Sequence, residues 1–219
     1  MVLVLNGWAA SVHAWDLCHF ARRPGVEIFS YLDQLDGAAE RALVREEGGA
    51  VIVGWSMGGA MALKLFIRHP EKIRALVLLA ATARMMEEKS EAWTGMSERR
   101  LKAFEMGLKL TRGEGFFGVD EKLPNPYMAD TDENLGRGLA FLRQTDVRRE
   151  LLAMKSDFPV RIFQSEHDGI VRPENAAFLK RVFPQSIVDM VAGSEHALPI
   201  FIPGKIDAAV EAFMANTTL

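Results

Sequence analysis

Cysteine is nearly absent. Cys18 is the only one in 219 residues, and a single cysteine closes no internal disulfide. Nothing around it would activate a thiolate, so it reads as a buried filler rather than a nucleophile. No apolar run approaches the length of a bilayer span. Charge of one sign is not in surplus either: 26 Lys and Arg face 29 Asp and Glu, a formal net charge of −3. No global field therefore draws the chain to nucleic acid or an anionic membrane. Met1-Val2-Leu3-Val4-Leu5 carries no basic leader or small-residue cleavage site and reads as a strand of the mature fold. Repeats, low-complexity tracts, metal-ligand spacings and glycine-rich phosphate loops are missing too. These absences lead to the expectation of a cytoplasmic monomer with no cofactor, no metal, no nucleic acid and no membrane attachment.

What remains is an ordinary globular composition, 49% hydrophobic and 25% charged, long enough for one α/β domain with a sizeable core. Six short apolar runs stand out: Val2 to Leu5, Val26 to Leu32, Ala50 to Val53, Ala75 to Leu79, Val160 to Phe163 and Ile187 to Val191. Helix-like stretches separate them. Near-continuous apolar strands alternating with helices predict a parallel sheet covered on both faces. Right-handed crossovers then make it doubly wound.

One region interrupts the alternation. Residues 84–155 hold no strand-like run, and they divide the core into 1–83 and 156–219. Ser97 to Thr111 is helical in pattern, with Leu101, Phe104 and Leu108 on one face. Asn134 to Leu152 is a second helical stretch with a break near Thr145, and Gly113 to Asn125 between them is a loop. Ligands bind at the carboxyl ends of the strands in such sheets, so inserted helices there would form a cap over the site. The plainer alternative is a helical appendage serving oligomerisation.

The most specific motif is Gly54-Trp55-Ser56-Met57-Gly58-Gly59. It lies between the apolar run at Ala50 and the helix-like Ala60 to Phe66. Strand, tight G-x-S-x-G turn and helix is the context of a nucleophile elbow, in which a sharp turn lifts one side chain clear of the sheet. Ser56 is the candidate nucleophile. A serine hydroxyl needs a base, and the base needs an orienting carboxylate. Asp168, in the loop after the Val160 strand, and His196, in the loop after the Ile187 strand, arise on the same sheet edge and complete the order Ser, Asp, His. Glu166 and Glu195 are alternative acids, Asp146 and Asp157 lie before the strand, and His167 is a weaker base. His13, His19 and His69 read as surface or site-lining residues. An oxyanion hole needs two donors. The backbone N–H of Met57 supplies one, and that of Trp8, after the first strand at Asn6-Gly7, supplies the other.

These residues together resemble the α/β-hydrolase family, and within it the pimeloyl-[acyl-carrier protein] methyl ester esterases of biotin synthesis. The likeness spans nearly the whole chain. It is carried by Gly7-Trp8, Gly54-Trp55-Ser56, Arg68-His69-Pro70-Glu71-Lys72-Ile73, Gly138 to Arg148, Asp168 to Pro173 and Glu195 to Pro199. The resemblance implies an α/β-hydrolase core that lacks the first two edge strands. It leaves six mostly parallel strands in the order 2-1-3-4-5-6 under a short helical cap. It implies a serine carboxylesterase acting on the methyl ester of a pimeloyl chain held by acyl-carrier protein. Trp55, Phe104 and Phe141 would meet the substrate. The acidic carrier would dock on basic residues such as Arg99, Arg100 and Arg143. Asn6 departs from the family's usual His before the glycine. A generalist carboxylesterase, a carbon–carbon bond hydrolase and a non-catalytic binding module on the same fold are the competing readings.

Overall fold

The computed structural model of the chain describes residues 1–91, 93–111, 130–154, 156–193 and 195–215. Six strands, β1 (Val2–Leu5), β2 (Val26–Phe29), β3 (Ala50–Trp55), β4 (Ile73–Leu79), β5 (Val160–Ser165) and β6 (Ile187–Val191), form one sheet. Every pairing is parallel and the order is β2-β1-β3-β4-β5-β6, the order implied by the resemblance.

Strand side chains alternate between the two faces. Leu3, Ile52, Leu76, Leu78 and Ile162 face one layer. They pack with α2 (Ala38–Arg45), α3 (Met57–Arg68) and α7 (Glu174–Val182) through Leu43, Leu63, Leu65, Phe66 and Leu179. Val2, Val4, Val51, Val53, Val77 and Phe163 face the other. There they meet Ile206, Ala209 and Val210 of α9 (Pro203–Ala215) and the turns around Trp15 and Phe20. Burial on both faces explains why these strands read as continuous apolar runs.

The second strand stops earlier than its apolar run predicts. It ends at Phe29, and α1 (Tyr31–Leu35) begins two residues later. Ser30 and Asp33 form a capping box: the Ser30 hydroxyl accepts from the Asp33 N–H, and the Asp33 carboxylate accepts from the Ser30 N–H. This exchange satisfies two otherwise unpaired donors and starts a helix where Tyr31 and Leu32 alone suggest more strand. His13 and His19 sit at short 3-10 turns, Val12–Trp15 and Phe20–Arg22.

Between β4 and β5 lie α4 (Glu98–Thr111), α5 (Asp132–Gln144) and α6 (Arg148–Met154). Thr145 ends α5: its backbone turns extended and its hydroxyl donates to the Phe141 carbonyl at 2.8 Å. The segment leaves and rejoins the sheet at nearly one place. Arg84 and Asp146 form a bridge there, and the Val147 N–H donates to the Ala83 carbonyl at 3.0 Å. An ion cluster ties this root, with Asp146 between Arg84 (2.6 Å) and Arg148 (2.8 Å). The loop expected at Gly113 to Asn125 lies outside the described residues. A four-residue α8 (Leu198–Phe201) precedes α9. Among the described residues no helix is long and apolar enough to cross a membrane.

Candidate active site

Ser56 stands alone between β3 and α3, at φ 55° and ψ −114°. A side chain costs energy in this left-handed half of the map, so the surrounding contacts must hold it there. They leave no room for larger neighbours. A Cβ on Gly54 would lie 2.7 Å from the Gly58 carbonyl oxygen, and one on Gly58 would lie 2.0 Å from that of Leu5. The two glycines thus let the helix start against both its own strand and β1.

His196 follows β6, and its Nε2 lies 2.9 Å from Ser56 Oγ. Its Nδ1 lies 2.8 Å from Asp168 Oδ2. With the proton on Nδ1, the ring donates to the carboxylate and its Nε2 accepts from the serine hydroxyl. Asp168 is fully buried beyond β5. Its other oxygen accepts from the backbone N–H groups of Ile170 (2.7 Å) and Val171 (3.1 Å), which orient the carboxylate. The loop of His196 is tethered twice. Ser165 donates to the Glu195 carbonyl at 2.5 Å, and the Trp55 indole donates to the His196 carbonyl at 2.8 Å. Glu166 and His167, in contrast, are exposed. Among the described residues no group of three or more His, Cys, Asp and Glu side chains is arranged to hold a metal ion.

Above Ser56 is a narrow cavity. Gly7, Trp8 and Trp55 line it from the core, Met85, Leu101, Phe104 and Leu142 from the inserted segment, and Ile170 from the loop of Asp168. Its volume is about 10 Å³, enough for about one water molecule. Apart from Ser56 and His196 the lining is apolar. Among the described residues, the backbone N–H groups of Trp8 and Met57 find no acceptor. Met57 opens α3, where helical N–H groups are unpaired and the helix dipole favours negative charge. The side-chain oxygen of Asn6 accepts from the Trp15 indole N–H, and its carbonyl accepts from Gln34 Nε2 at 3.0 Å.

The other candidates part ways. Trp55 and Phe104 line the cavity. Phe141 does not: it packs between the two cores, with Lys64 Nζ 5.0 Å from its ring centre. Arg99 is exposed and forms no ion pair within the described residues. Arg100 donates to the Gly169 carbonyl at 2.9 Å, and Arg143 pairs with Glu98 at 2.7 Å. That pairing holds the Glu98 carboxyl below its ordinary pKa. Lys102, Lys109, Arg137, Arg148 and Arg149 all have acidic partners as well. Cys18 is buried, and burial first, then nearby Asp207, pushes its thiol pKa up to about 12. It remains a neutral thiol at physiological pH.

The sequence motifs do not mark Met85, and they mark Leu142 and Gly138 only as part of the family-like run from Gly138 to Arg148, with no role assigned. Gly138 faces the Trp8 indole, and no local pattern announces a contact with a residue so far away in the chain.

The order of strands, the turn at Ser56 and the position of the inserted helices are those of the α/β-hydrolase fold, and the chain has that fold. A family model described as the alpha/beta hydrolase fold matches residues 25–102. In sequence, the chain is similar to the pimeloyl-[acyl-carrier protein] methyl ester esterase of Nitrosospira multiformis. It is 29% identical to it over 180 residues, 74% of this chain and 67% of the relative. The esterase of the same name from Citrobacter koseri is 26% identical over 248 residues, covering 96% of this chain and 92% of the relative. Among solved structures, a hydrolase from Pseudomonas aeruginosa superposes with a TM-score of 0.72 at 18% identity, covering 97% of this chain and 89% of that one. An esterase from Exiguobacterium antarcticum superposes at 0.71 and 19% identity, covering 100% and 91%. These two likenesses concern the fold alone.

Proposed function

We propose that this chain is a serine carboxylesterase with Ser56 as nucleophile, His196 as base and Asp168 as orienting acid. The observation that carries the reading is the unbroken line from Ser56 Oγ through His196 to Asp168, at 2.9 and 2.8 Å. His196 takes the hydroxyl proton as Ser56 Oγ attacks the ester carbonyl. The tetrahedral oxyanion lies between the N–H groups of Trp8 and Met57. The C–O bond to the alcohol breaks, and the alcohol leaves with the proton from His196. Water, deprotonated by His196, then attacks the acyl-enzyme and releases the carboxylic acid and the free serine.

Residues 84–155 act as a cap in this reading. Leu101, Phe104 and Leu142 close the cavity to the volume of about one water, so an ester enters only when α4 or α5 moves. The apolar lining suits a neutral acyl ester and disfavours a free carboxylate near Ser56. With the names of the relatives, this makes the methyl ester of a carrier-bound pimeloyl chain the substrate we propose. A generalist esterase is the second reading, and the surface charges favour it. Residues 84–155 hold as many Lys and Arg as Asp and Glu, and most of the bases among the described residues there pair with an acidic side chain.

Hydrolysis of pimeloyl-carrier methyl ester, compared with a p-nitrophenyl ester of similar chain length, separates the two. A kcat/KM at least about tenfold higher for the carrier-bound ester supports the specific enzyme. Parity supports the generalist. No hydrolysis of any ester contradicts both.

A further inference from the structure

Trp8 does more than line the cavity. Its indole Nε1–H donates to the Leu135 carbonyl of α5 at 3.2 Å, a buried hydrogen bond between residues 127 positions apart. Phe104 of α4 lies against the ring, with centroids 5.2 Å apart. On the α5 side the indole fits only because residue 138 is glycine. A Cβ there would lie 2.3 Å from the Trp8 ring carbon Cδ1, 2.6 Å from Nε1 and 3.2 Å from Tyr31 Cδ2. The indole is therefore boxed by both helices and is only 4% exposed. It cannot swing aside as a surface side chain would.

The backbone on which Trp8 sits is itself under constraint. The Ala10 N–H closes a tight turn onto the Gly7 carbonyl at 3.2 Å, and Ala9, next to Trp8, has φ 54°. A residue with a side chain holds that conformation only when its surroundings impose it. The Trp8 indole is the turn's direct bond to α5.

We infer that α5 sets the position of the Trp8 backbone N–H through the indole, so that Gly138 and the Trp8 side chain are positioning residues for the second oxyanion donor. This rests on the esterase reading. It couples the inserted helices to the rate of the chemical step as well as to access. A shift of α5 moves the donor, and oxyanion donors act only when aimed at the developing charge.

Two variants test it in the full-length protein. Gly138→Ala drives a methyl group into the indole, and Trp8→Phe keeps an aromatic ring but removes the Nε1 donor. Each should lower kcat for p-nitrophenyl butyrate by about tenfold or more, with KM changed by less than about threefold. Loss of one whole donor costs about 10² to 10³. In a Trp8→Ala background no ring remains for the methyl to strike, so Gly138→Ala should cost less than about twofold more. That non-additivity separates action through the indole from general damage to α5. If Gly138→Ala unfolds the protein, as seen by circular dichroism, the kcat of Trp8→Phe decides alone. Unchanged kcat in folded Trp8→Phe, or equal Gly138→Ala losses with and without the ring, overturns the inference. Ser56→Ala, run alongside, must abolish the activity. If it does not, the esterase reading has failed rather than the coupling.

Discussion

The strand ends and the surface of the inserted helices hold their polar side chains by different means. At the strand ends, Asp168 is fixed by two buried backbone N–H groups, and His196 by Asp168 and by bonds to its neighbouring backbone. Ser56 is fixed by a turn that only glycines on either side allow. On the helices, the long side chains of Arg143, Lys102, Lys109 and Arg137 pair with surface carboxylates, of which Glu105 is half-buried and the others exposed. Buried polar groups with exact partners lose heavily when one partner goes. Exposed pairs contribute about 0 to 1 kcal/mol and are screened by salt. The first region should therefore respond to single atoms, and the second only to net charge and to a partner.

The sharpest test of that contrast is at the strand ends. His196→Ala should lower kcat/KM for a p-nitrophenyl ester by at least about 10⁴-fold, and Asp168→Asn by about 10³-fold or more, because the amide no longer fixes the tautomer of the ring. Near-normal activity in Asp168→Asn beside a dead Glu166→Gln would move the acid to Glu166.

An intermediate effect is expected at the root that joins the two regions. Hydrogen bonding by Arg148, aided by Arg84, holds the Asp146 carboxyl well below the usual carboxylate range, against a smaller opposing effect of burial. A carboxyl depressed in the folded state adds stability above its unfolded pKa of about 3.9, and that stability is lost as pH falls through the folded value. Asp146→Asn should therefore melt about 2–4 °C lower than the parent at pH 7. The gap should narrow as melts are repeated below about pH 4. A gap that is constant with pH would mean that Asp146 acts by packing rather than by charge.

The smallest effect concerns the exposed charges. Arg99→Glu should slow a carrier-bound ester by about two- to fivefold at low salt and leave a small p-nitrophenyl ester unchanged, since surface charge steers encounter. Salt added to the parent should give the same selective loss. Arg143→Glu should instead set two carboxylates side by side on α4 and α5 and impair both substrates alike. Equal behaviour of the two variants would erase the distinction between Arg99, which has no ion pair among the described residues, and the paired Arg143.

The strand ends are legible in sequence because their geometry is local. A strand, a G-x-S-x-G turn and a helix fix where Ser56 points. Asp168 and His196 need only to follow the last two strands, β5 and β6, of a parallel sheet. The end of β2 is misread because Tyr31 and Leu32 are apolar, although Ser30 and Asp33 carry the capping signal. The helices are legible in extent but not in partners. The inward face of α5 runs through Leu135, Leu139 and Leu142, which turns Phe141 toward Lys64 instead of the cavity. Arg137, Arg148, Arg143 and Lys109 find their acidic partners in Asp36, Glu91, Glu98 and Asp132, most of them distant in sequence. Gly138 opens a stretch that carries the family likeness, but its role, leaving space for the Trp8 indole, is not written in any local pattern.

The central claim is covalent catalysis at Ser56, and the most direct measurement is the mass of the protein after treatment with a serine-directed fluorophosphonate. The account predicts one adduct per chain, mapped by peptide sequencing to Ser56, and none on Ser56→Ala. Buried Cys18 should stay unmodified throughout. An adduct on another residue, or undiminished labelling and ester hydrolysis in Ser56→Ala, would contradict it.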